Sequence, residues 1–360
     1  MAMARVRIFL WFLAGALSFA LAFELVLRLL PVATATNTGY YIDPLIRTTP
    51  PHFTFKAATG WDLRNAQTIH SNNFGFVADH DFQPDKRAVA LIGDSFVEAS
   101  MLPAQQRPGA QLERALASGS EPARPVYAMG VPGTALLDYV ERIRLAHERF
   151  DVRDFVLLME RADVRQSFCG SGNVGGPCLR QDTLAPATEL QPEAGPIKQV
   201  LRHSALAQYL FSQLKFDPAR LWQQVWQQAR PATPDHMGSA ALAAVTVQPI
   251  EMSKEELSRL AHVTNTFFER IRPYRDGRLV IVLDSDRGAI RRGDAAIADA
   301  ARDQFMKLAR AEGAVLVDTE PLYREQAAHS ELALAVGPYD GHLNPLGIGI
   351  AMKAAAQALR

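Results

Sequence analysis

AVALIG at residues 88–93 runs directly into Gly93-Asp94-Ser95-Phe96, and this stretch decides the fold. An apolar run this short, ended by glycine and aspartate, is typical of a strand buried on both faces. Similar runs recur along the chain, at PVYAMGV (125–131), FVLLME (155–160), RLVIVLD (278–284) and AVLVDTE (314–320). Together they predict five strands.

Segments with apolar residues at helical spacing separate these runs. They lie at about 104–117, 134–149, 253–272, 294–311 and 345–359. The third opens with Ser253 followed by Glu256, which is a capping-box pattern. Strands that alternate with helices predict a parallel sheet covered on both faces. We therefore expect an α/β fold with a flavodoxin-like, doubly wound, five-stranded parallel sheet.

Composition excludes several classes of protein. The 360 residues are 48% hydrophobic and 21% charged, so the chain can bury a sizeable core. Lys+Arg and Asp+Glu both number 38, and this even balance argues against a nucleic-acid partner. The 2 cysteines are too few for a disulfide scaffold or, alone, for a structural zinc. The histidines lack metal-ligand spacing, so we expect no metal and no cofactor.

The N-terminal segment predicts the compartment. Residues 8–30 read IFLWFLAGALSFALAFELVLRLL, apolar except for Glu24 and Arg28. A helix of this length spans roughly 34 Å, enough for a bilayer core of about 30 Å. Since Arg5 and Arg7 precede it, we expect a single-pass signal anchor with residues 1–7 cytoplasmic and the remainder periplasmic or extracellular.

Two other interpretations of this segment remain open. It is a cleaved signal peptide if Ala33-Thr34-Ala35 is a cleavage site, or a buried helix if the protein is soluble. The length of the apolar run, with Glu24 and Arg28 inside it, favours the anchor. The anchor would then contact the membrane through residues 8–30.

We divide the remaining chain into a stem and lead-in (31–84) and an α/β domain (85–360) with an insertion at about 165–250. The insertion carries an amphipathic helical region over 197–230. Its stripe consists of Leu206, Tyr209, Leu210, Leu214, Leu221, Trp222, Val225 and Trp226. Such a stripe is typical of a packing face; a lid and a lipid-contacting surface are the alternatives.

The two cysteines flank a flexible loop at the start of the insertion. Cys169 and Cys178 enclose GSGNVGGP. In an oxidising compartment we expect a disulfide, and the alternative is two unpaired thiols in a mobile loop.

Candidate catalytic groups lie at predicted strand ends, where open α/β sheets bind ligands. Ser95 follows the first strand at a tight turn, and Asp340-Gly341-His342 precedes the last helix. His342 can take the proton of Ser95, while Asp340 holds the imidazole.

The combination of motifs resembles the SGNH hydrolases, also called GDSL esterases. It consists of GDSF after the first strand, Gly-Val-Pro-Gly after the second and Asp-x-His before the last helix. The resemblance covers roughly residues 70–360 apart from the insertion, and residues 72–96 are similar to the lead-in of membrane-anchored bacterial members. It implies that Ser95 is the nucleophile and that His342 is the base. It also implies that the backbone amides of Ser95 and Gly133 donate to the oxyanion.

Two departures from the family pattern bear on activity. Ala162 stands where the family has an oxyanion asparagine, and losing one such donor costs about 10²–10³ in rate. Arg161 is a candidate substitute for this oxyanion donor, and a surface ion pair is the alternative role for its side chain. Tyr339 stands where most members have the catalytic aspartate, and Asp340 lies two residues before His342, as in related alginate-type acetyltransferases.

Further polar residues follow the strands and are candidates for substrate binding. They are Asp94, Arg161, Asp163, Asp284 and Asp286. For Asp284 and Asp286 a capped turn is the alternative. We expect an ester hydrolase that acts on O-acyl, especially O-acetyl, esters of a small molecule or of an envelope or exported glycan. An O-acyltransferase and a non-catalytic glycan-binding or assembly protein are the alternatives, and the sequence names no protein partner.

Overall fold

The computed structural model describes residues 2–34, 37–117, 124–214, 216, 252–295 and 299–360. The strands are β1 Gly39–Asp43, β2 Ile46–Thr48, β3 Thr54–Thr59, β4 Arg64–His70, β5 Val89–Gly93, β6 Val126–Gly130, β7 Asp154–Met159, β8 Pro177–Leu179, β9 Pro186–Thr188, β10 Leu279–Leu283 and β11 Val315–Asp318. The α-helices are α1 Ala2–Leu29, α2 Ser95–Glu98, α3 Pro108–Ala117, α4 Leu136–Phe150, α5 Asp163–Gln166, α6 Pro196–Leu201, α7 Ala205–Ala207, α8 Lys254–Ile271, α9 Arg287–Arg292, α10 Ala300–Ala311, α11 Thr319–His329 and α12 Pro345–Ala358.

Five strands form one parallel sheet in the order β11-β10-β7-β5-β6. The doubly wound, five-stranded sheet predicted from the apolar runs is therefore confirmed. Because β5 pairs with β6 on one side and β7 on the other, the winding reverses beside β5. Crevices for ligands form at such switch points, beyond the carboxyl ends of the strands.

The two faces of the sheet bury separate apolar clusters. Alternate residues of β5 point to opposite faces, so Ala90 and Ile92 join one cluster while Val89 and Leu91 join the other. Helices α4, α8 and α10 cover the first face, and α3, α11 and α12 contribute to the second. Burial on both faces explains why these strands read as continuous apolar runs.

Two helical predictions need correction. The helix predicted at 294–311 begins only at Ala300, capped by Asp299. The separate short helix α9 ends before it at Arg292 and is capped by Gly293, whose φ of +74° suits glycine. The segment predicted at 104–117 divides into a 3₁₀ turn at Ala104–Gln106 and helix α3, which begins at Pro108 because proline lacks the N–H that an interior turn would need.

The stem and lead-in, predicted at residues 31–84, pack against the α/β domain. It forms two antiparallel hairpins, β1–β2 and β3–β4. Ile46, Phe76 and Phe82 of this region are buried in the first apolar cluster. Residues before position 85 therefore contribute to the core of the α/β domain.

The insertion does not contain one continuous helix across its described part. Helix α6 ends at Leu201, and α7 starts anew with the Ser204 hydroxyl accepting from the Ala207 amide. A π-helical turn follows at Gln208–Gln213. The predicted stripe residues Leu221, Trp222, Val225 and Trp226 lie outside the described residues.

Candidate active site

Ser95 is held at the turn between strand β5 and helix α2. The Asp94 carboxylate caps that helix by accepting from the Phe96 amide at 2.8 Å. A Cβ on Gly93 would lie 2.6 Å from both the Leu158 carbonyl oxygen and a Val97 methyl group, so only glycine fits there. The tight turn places the Ser95 hydroxyl beyond the carboxyl end of the sheet.

Ser95, His342 and Asp340 form one hydrogen-bonded chain. Nε2 of His342 lies 2.7 Å from the Ser95 Oγ, and Nδ1 lies 2.5 Å from the Asp340 Oδ1. An ionised carboxylate only accepts, so the Nδ1 atom carries the proton and Nε2 is left to accept from the serine hydroxyl. The Asp340 side chain is 8% exposed and that of His342 28%, so the reacting end of the imidazole remains reachable.

The loop that carries His342 is shaped by its own hydrogen bonds. The Gly337 amide donates to the Asp340 carbonyl at 2.7 Å, which closes the turn. Asn344 caps α12 directly after it by accepting from two backbone amides. The Phe96 ring lies 4.8 Å from the imidazole, centroid to centroid. The base is therefore supported from its loop, its following helix and the nucleophile turn.

Gly133, the predicted second oxyanion donor, follows the neighbouring strand β6. Its φ of +65° lies in the left-handed region, which favours glycine. The Arg47 guanidinium donates to the carbonyls of Pro132 and Gly133 at 2.5 and 3.2 Å. The Ser95 amide opens a helix, where the first amides have no intrahelical acceptor. Both predicted donors therefore belong to turns at adjacent strand ends.

Ala162 offers no side-chain donor, as the sequence predicted. Its backbone amide donates to the Glu160 carboxylate at 2.7 Å. Arg161 does not stand in for the missing asparagine, because its guanidinium pairs with Asp286 and Asp299 at 3.1 Å each. Arg161 therefore forms a surface ion pair, which was the alternative to a role as oxyanion donor.

Asp163 is fully buried, which corrects the prediction that it contacts substrate. Its Oδ2 accepts from the Tyr139 hydroxyl at 2.8 Å and from the Glu160 amide at 3.0 Å. Burial raises the pKa of this carboxyl well above its ordinary value, and the charge of nearby Asp94 adds to that effect. Asp163 therefore joins helix α4 to the turn after β7.

The Asp94 side chain also has a structural role, because it holds the turn before α2. It is 8% exposed and is occupied as the cap of α2, so the predicted substrate contact is not supported. Burial raises its pKa to about 6. Glu98, at the end of the same helical turn, has a pKa raised to about 7, again by burial.

Sequence reasoning missed Arg142, whose buried guanidinium ties the catalytic strand ends together. Its Nη1 donates to the carbonyls of Gly93 and Met129 at 2.6 and 2.9 Å, and its Nη2 donates to the Thr134 hydroxyl at 2.8 Å. The sequence did contain an indication of this role, because Arg142 occupies the apolar face of α4 beside Ile143. An arginine on a buried helix face needs partners, and here these are backbone carbonyls.

A groove of about 1240 Å³ lies beside the triad, with Asp340 in its wall. Asp284, Asp286 and Arg161 lie in its wall, and their contact with a substrate stays a prediction. Burial raises the pKa of Asp284 to about 6, although Arg287 lies 3.0 Å away. Asp286 has a lowered pKa because its carboxylate caps α9 by accepting from the Ala289 amide. Asp286 therefore caps the turn before α9, and its side chain also lies in the wall of the groove.

The structure joins Cys169 to Cys178 in a disulfide, with their Cα atoms 5.2 Å apart. Within the described ranges, the one cluster with metal-ligand types is these two cysteines with Glu189. Both sulfurs are committed to the disulfide, so this cluster offers no thiolate to a metal.

Helix α1 is long and apolar enough to cross a membrane, because a stretch of 18 residues within Met3–Leu29 has a mean hydropathy of 2.1. A signal sequence near an N-terminus has the same properties.

No protein-family model matches the chain, and no curated protein matches it. Solved structures with a similar arrangement include an alpha/beta hydrolase enzyme from the metagenome of Lake Arreo, Spain (16% identity, TM-score 0.39, covering 77% of this chain and 96% of that one). A second is the lipase/acylhydrolase from Enterococcus faecalis, with 10% identity and a TM-score of 0.37, covering 75% of this chain and 94% of that one. A third is a member of the lipolytic protein G-D-S-L family from Veillonella parvula, with 11% identity and a TM-score of 0.36, covering 75% of this chain and 96% of that one. Similarities this low carry no conclusion about what this chain does.

Proposed function

We propose that this chain is a serine ester hydrolase of the SGNH type that cleaves O-acyl esters. The observation that carries the proposal is the continuous hydrogen-bonded arrangement of Ser95, His342 and Asp340 at the switch point of the sheet. Three groups at these separations are what activation of a serine hydroxyl requires.

In the acylation step, the Ser95 Oγ attacks the ester carbonyl carbon while His342 Nε2 takes the hydroxyl proton. The negative charge moves to the carbonyl oxygen, towards the backbone amides of Ser95 and Gly133. The bond from carbon to the alcohol oxygen then breaks, and the imidazolium returns its proton to the departing alcohol. Asp340 stabilises the imidazolium throughout.

In the deacylation step, water attacks the acyl-enzyme while His342 removes one of its protons. The bond to Ser95 breaks, the carboxylic acid leaves, and the serine recovers its hydrogen. Ala162 does not supply the side-chain amide that the family pattern places at this position. We therefore expect slower turnover than three donors would give.

We further propose that α1 anchors the domain and that residues after it lie outside the cytoplasm. Arg5 and Arg7 before the apolar run support this orientation, and the Cys169–Cys178 disulfide suits an oxidising compartment. The proposed substrate is an O-acyl, especially O-acetyl, group on an envelope or exported polysaccharide. The size of the groove beside Asp340, about 1240 Å³, supports a substrate larger than the acyl group itself.

The test is hydrolysis of 4-nitrophenyl acetate by the full chain in detergent micelles. Ser95→Ala should abolish release of nitrophenol, because it removes the nucleophile. Ser330→Ala is the matched control, since Ser330 lines the same groove without contacting His342. Equal activity in Ser95→Ala and the parent chain would refute the proposal.

An O-acyltransferase is the second candidate, and the position of Asp340 two residues before His342 favours it. In that case a sugar hydroxyl, not water, resolves the acyl-enzyme. Addition of an oligosaccharide acceptor should then accelerate nitrophenol release and yield an acylated sugar. A hydrolase should show neither effect. A non-catalytic glycan-binding protein, which Ala162 favours, should release no nitrophenol under either condition.

A further inference from the structure

The described part of the insertion is attached to the end of the N-terminal helix α1. Glu24 accepts hydrogen bonds from the Ser204 hydroxyl at 2.9 Å, the Ala205 amide at 3.0 Å and the Leu206 amide at 2.8 Å. Arg28, one turn later, donates to the His203 carbonyl at 3.1 Å. Two charged residues near the C-terminal end of α1 thus face one segment of the insertion.

Apolar packing strengthens this attachment. Leu27 and Val32 are 2% and 4% exposed, and they form a small cluster with Ala205. The remaining members are partly buried: Phe23, Leu63, Leu206 and Tyr209. Residues 203–209 therefore sit at the height of the last two turns of α1.

That height is the outer edge of the bilayer, if α1 spans it as proposed above. Sixteen residues separate Ile8 from Glu24, which is about 24 Å of helix. The apolar core of a bilayer is about 30 Å thick, so Glu24 lies about 6 Å inside its outer edge and Arg28, about 30 Å along the helix from Ile8, lies at that edge. The segment bound to them lies at the same level.

An exposed apolar face precedes this attachment point. Ile197, Val200 and Leu201 of helix α6 are 76%, 71% and 40% exposed. Their spacing of three and four residues places them on one side of the helix. Phe211 and Phe216, after the attachment point, are also exposed. Single exposed apolar residues are common, but a contiguous set marks a surface that something covers.

We propose that residues 196–214 and Phe216 form a membrane-contacting surface that lies on the bilayer beside α1. The lipid bilayer is the occupant because the surface is continuous with the proposed membrane-spanning helix through Glu24, Arg28 and Leu27. The apolar side chains of α6 enter the boundary between headgroups and acyl chains, and the exposed Lys198 reaches the lipid phosphates.

The membrane-contacting surface is also linked to the catalytic loop. The Tyr209 hydroxyl donates to the Trp61 carbonyl at 2.9 Å, and the Trp61 indole N–H donates to the Tyr339 hydroxyl at 3.0 Å. Tyr339 directly precedes Asp340 in the chain. The catalytic loop is thus held on the membrane side of the domain, within reach of substrates at the bilayer surface.

The experiment uses the full chain in phosphatidylcholine–phosphatidylglycerol vesicles. Since both native cysteines form the disulfide, an introduced cysteine is the sole free thiol. Ile197→Cys and Val200→Cys are each labelled with an environment-sensitive fluorophore, and nitroxide lipids are added to both leaflets. Gln357→Cys is the exposed control, near the edge where strands begin, because Ala358 lies beside Arg278 before β10. Leu17→Cys reports on the span of α1 itself.

We expect labels at 197 and 200 to be quenched at least about twofold more strongly by headgroup-proximal nitroxides than the label at 357. Quenching equal to that at 357 overturns the proposal. So does blue-shifted emission without quenching, which would mean that protein covers this face. Quenching at 17 without quenching at 197 and 200 refutes the membrane-contacting surface alone. Absence of quenching at 17 refutes the anchor and the inference that rests on it. Neither result bears on ester hydrolysis, which the Ser95 variants test separately.

Discussion

The Oδ1 atom of Asp340 accepts from two groups of the same residue, the ring Nδ1 of His342 at 2.5 Å and its backbone amide at 2.9 Å. The spacing of two residues makes this possible, because the carboxylate folds back over the following turn. Asp340 thereby sets both the position of the imidazole and its tautomer. An aspartate three residues before the histidine is not needed for that purpose.

We expect Asp340→Asn to lower kcat for 4-nitrophenyl acetate by roughly 10²–10⁴-fold with an unchanged fold. The asparagine amide donates to Nδ1 and so favours the tautomer that cannot accept from Ser95. The measurement is steady-state kinetics together with circular dichroism. The exposed Asp303→Asn serves as control. Full activity in Asp340→Asn would show that Asp340 does not orient the base.

The oxyanion site makes a gain-of-function prediction. Ala162→Asn places an amide donor at the position where the SGNH pattern that the sequence resembles has asparagine, and we expect kcat to rise at least about tenfold. The half-buried Ala162 borders a cavity of about 420 Å³, which gives room for a larger side chain. Ala162→Leu has a similar size without a donor and should not accelerate the reaction. Equal rates for the two variants would place the oxyanion elsewhere.

Stability should depend on pH through buried carboxyl groups near the nucleophile. Burial raises the pKa of Glu98 to about 7, above its ordinary value of 4.5, so the folded state binds this proton more tightly than the unfolded state. The stabilisation is therefore complete below about pH 4.5 and is lost as the pH rises through about 7. Asp94 and Asp138, with pKa values raised to about 6, act in the same direction.

Glu98→Gln removes the largest of these three shifts and should flatten the dependence. Urea unfolding at pH 5, 6, 7 and 8 measures it, with the exposed Glu312→Gln as control. A free energy of unfolding that falls equally steeply in Glu98→Gln and the parent chain would exclude Glu98 as the titrating group.

The disulfide should contribute to stability through the loop that it closes. With nine residues of separation between Cys169 and Cys178, the loss of chain entropy in the unfolded state corresponds to about 2–3 kcal/mol. Replacing both cysteines by serine should lower the free energy of unfolding by about that amount and leave kcat within about twofold. Thermal or urea unfolding under non-reducing conditions measures the difference. No change in stability would mean that the thiols are unpaired in the folded protein.

The five strands could be predicted because each is a short apolar run, and the inner ones are buried on both faces, as Val89–Gly93 illustrates; the edge strand β11 is more exposed. The meeting of Ser95 and His342 followed from the same topology, although 247 residues separate them. Both follow or precede elements at the carboxyl edge of a parallel sheet, where distant loops converge.

Buried polar roles were harder to predict from sequence. An aspartate after a strand is typical of an exposed turn, and only the approach of Tyr139 from another helix explains the burial of Asp163. Likewise, nothing local to Arg142 shows that its guanidinium reaches the carbonyl of Gly93. Helix α10 begins at Ala300 because Asp299 caps it, whereas the sequence pattern allowed a start at residue 294.

The most direct test of the central claim, an activated serine at residue 95, is labelling of the full chain in detergent with a fluorophosphonate probe. We predict labelling of the parent chain and of Ser330→Ala, none of Ser95→Ala, and strongly reduced labelling of His342→Ala. Circular dichroism of each variant establishes that it is folded. A folded parent chain that fails to react, or a Ser95→Ala variant that labels as well as the parent, would contradict the assignment of Ser95 as an activated nucleophile.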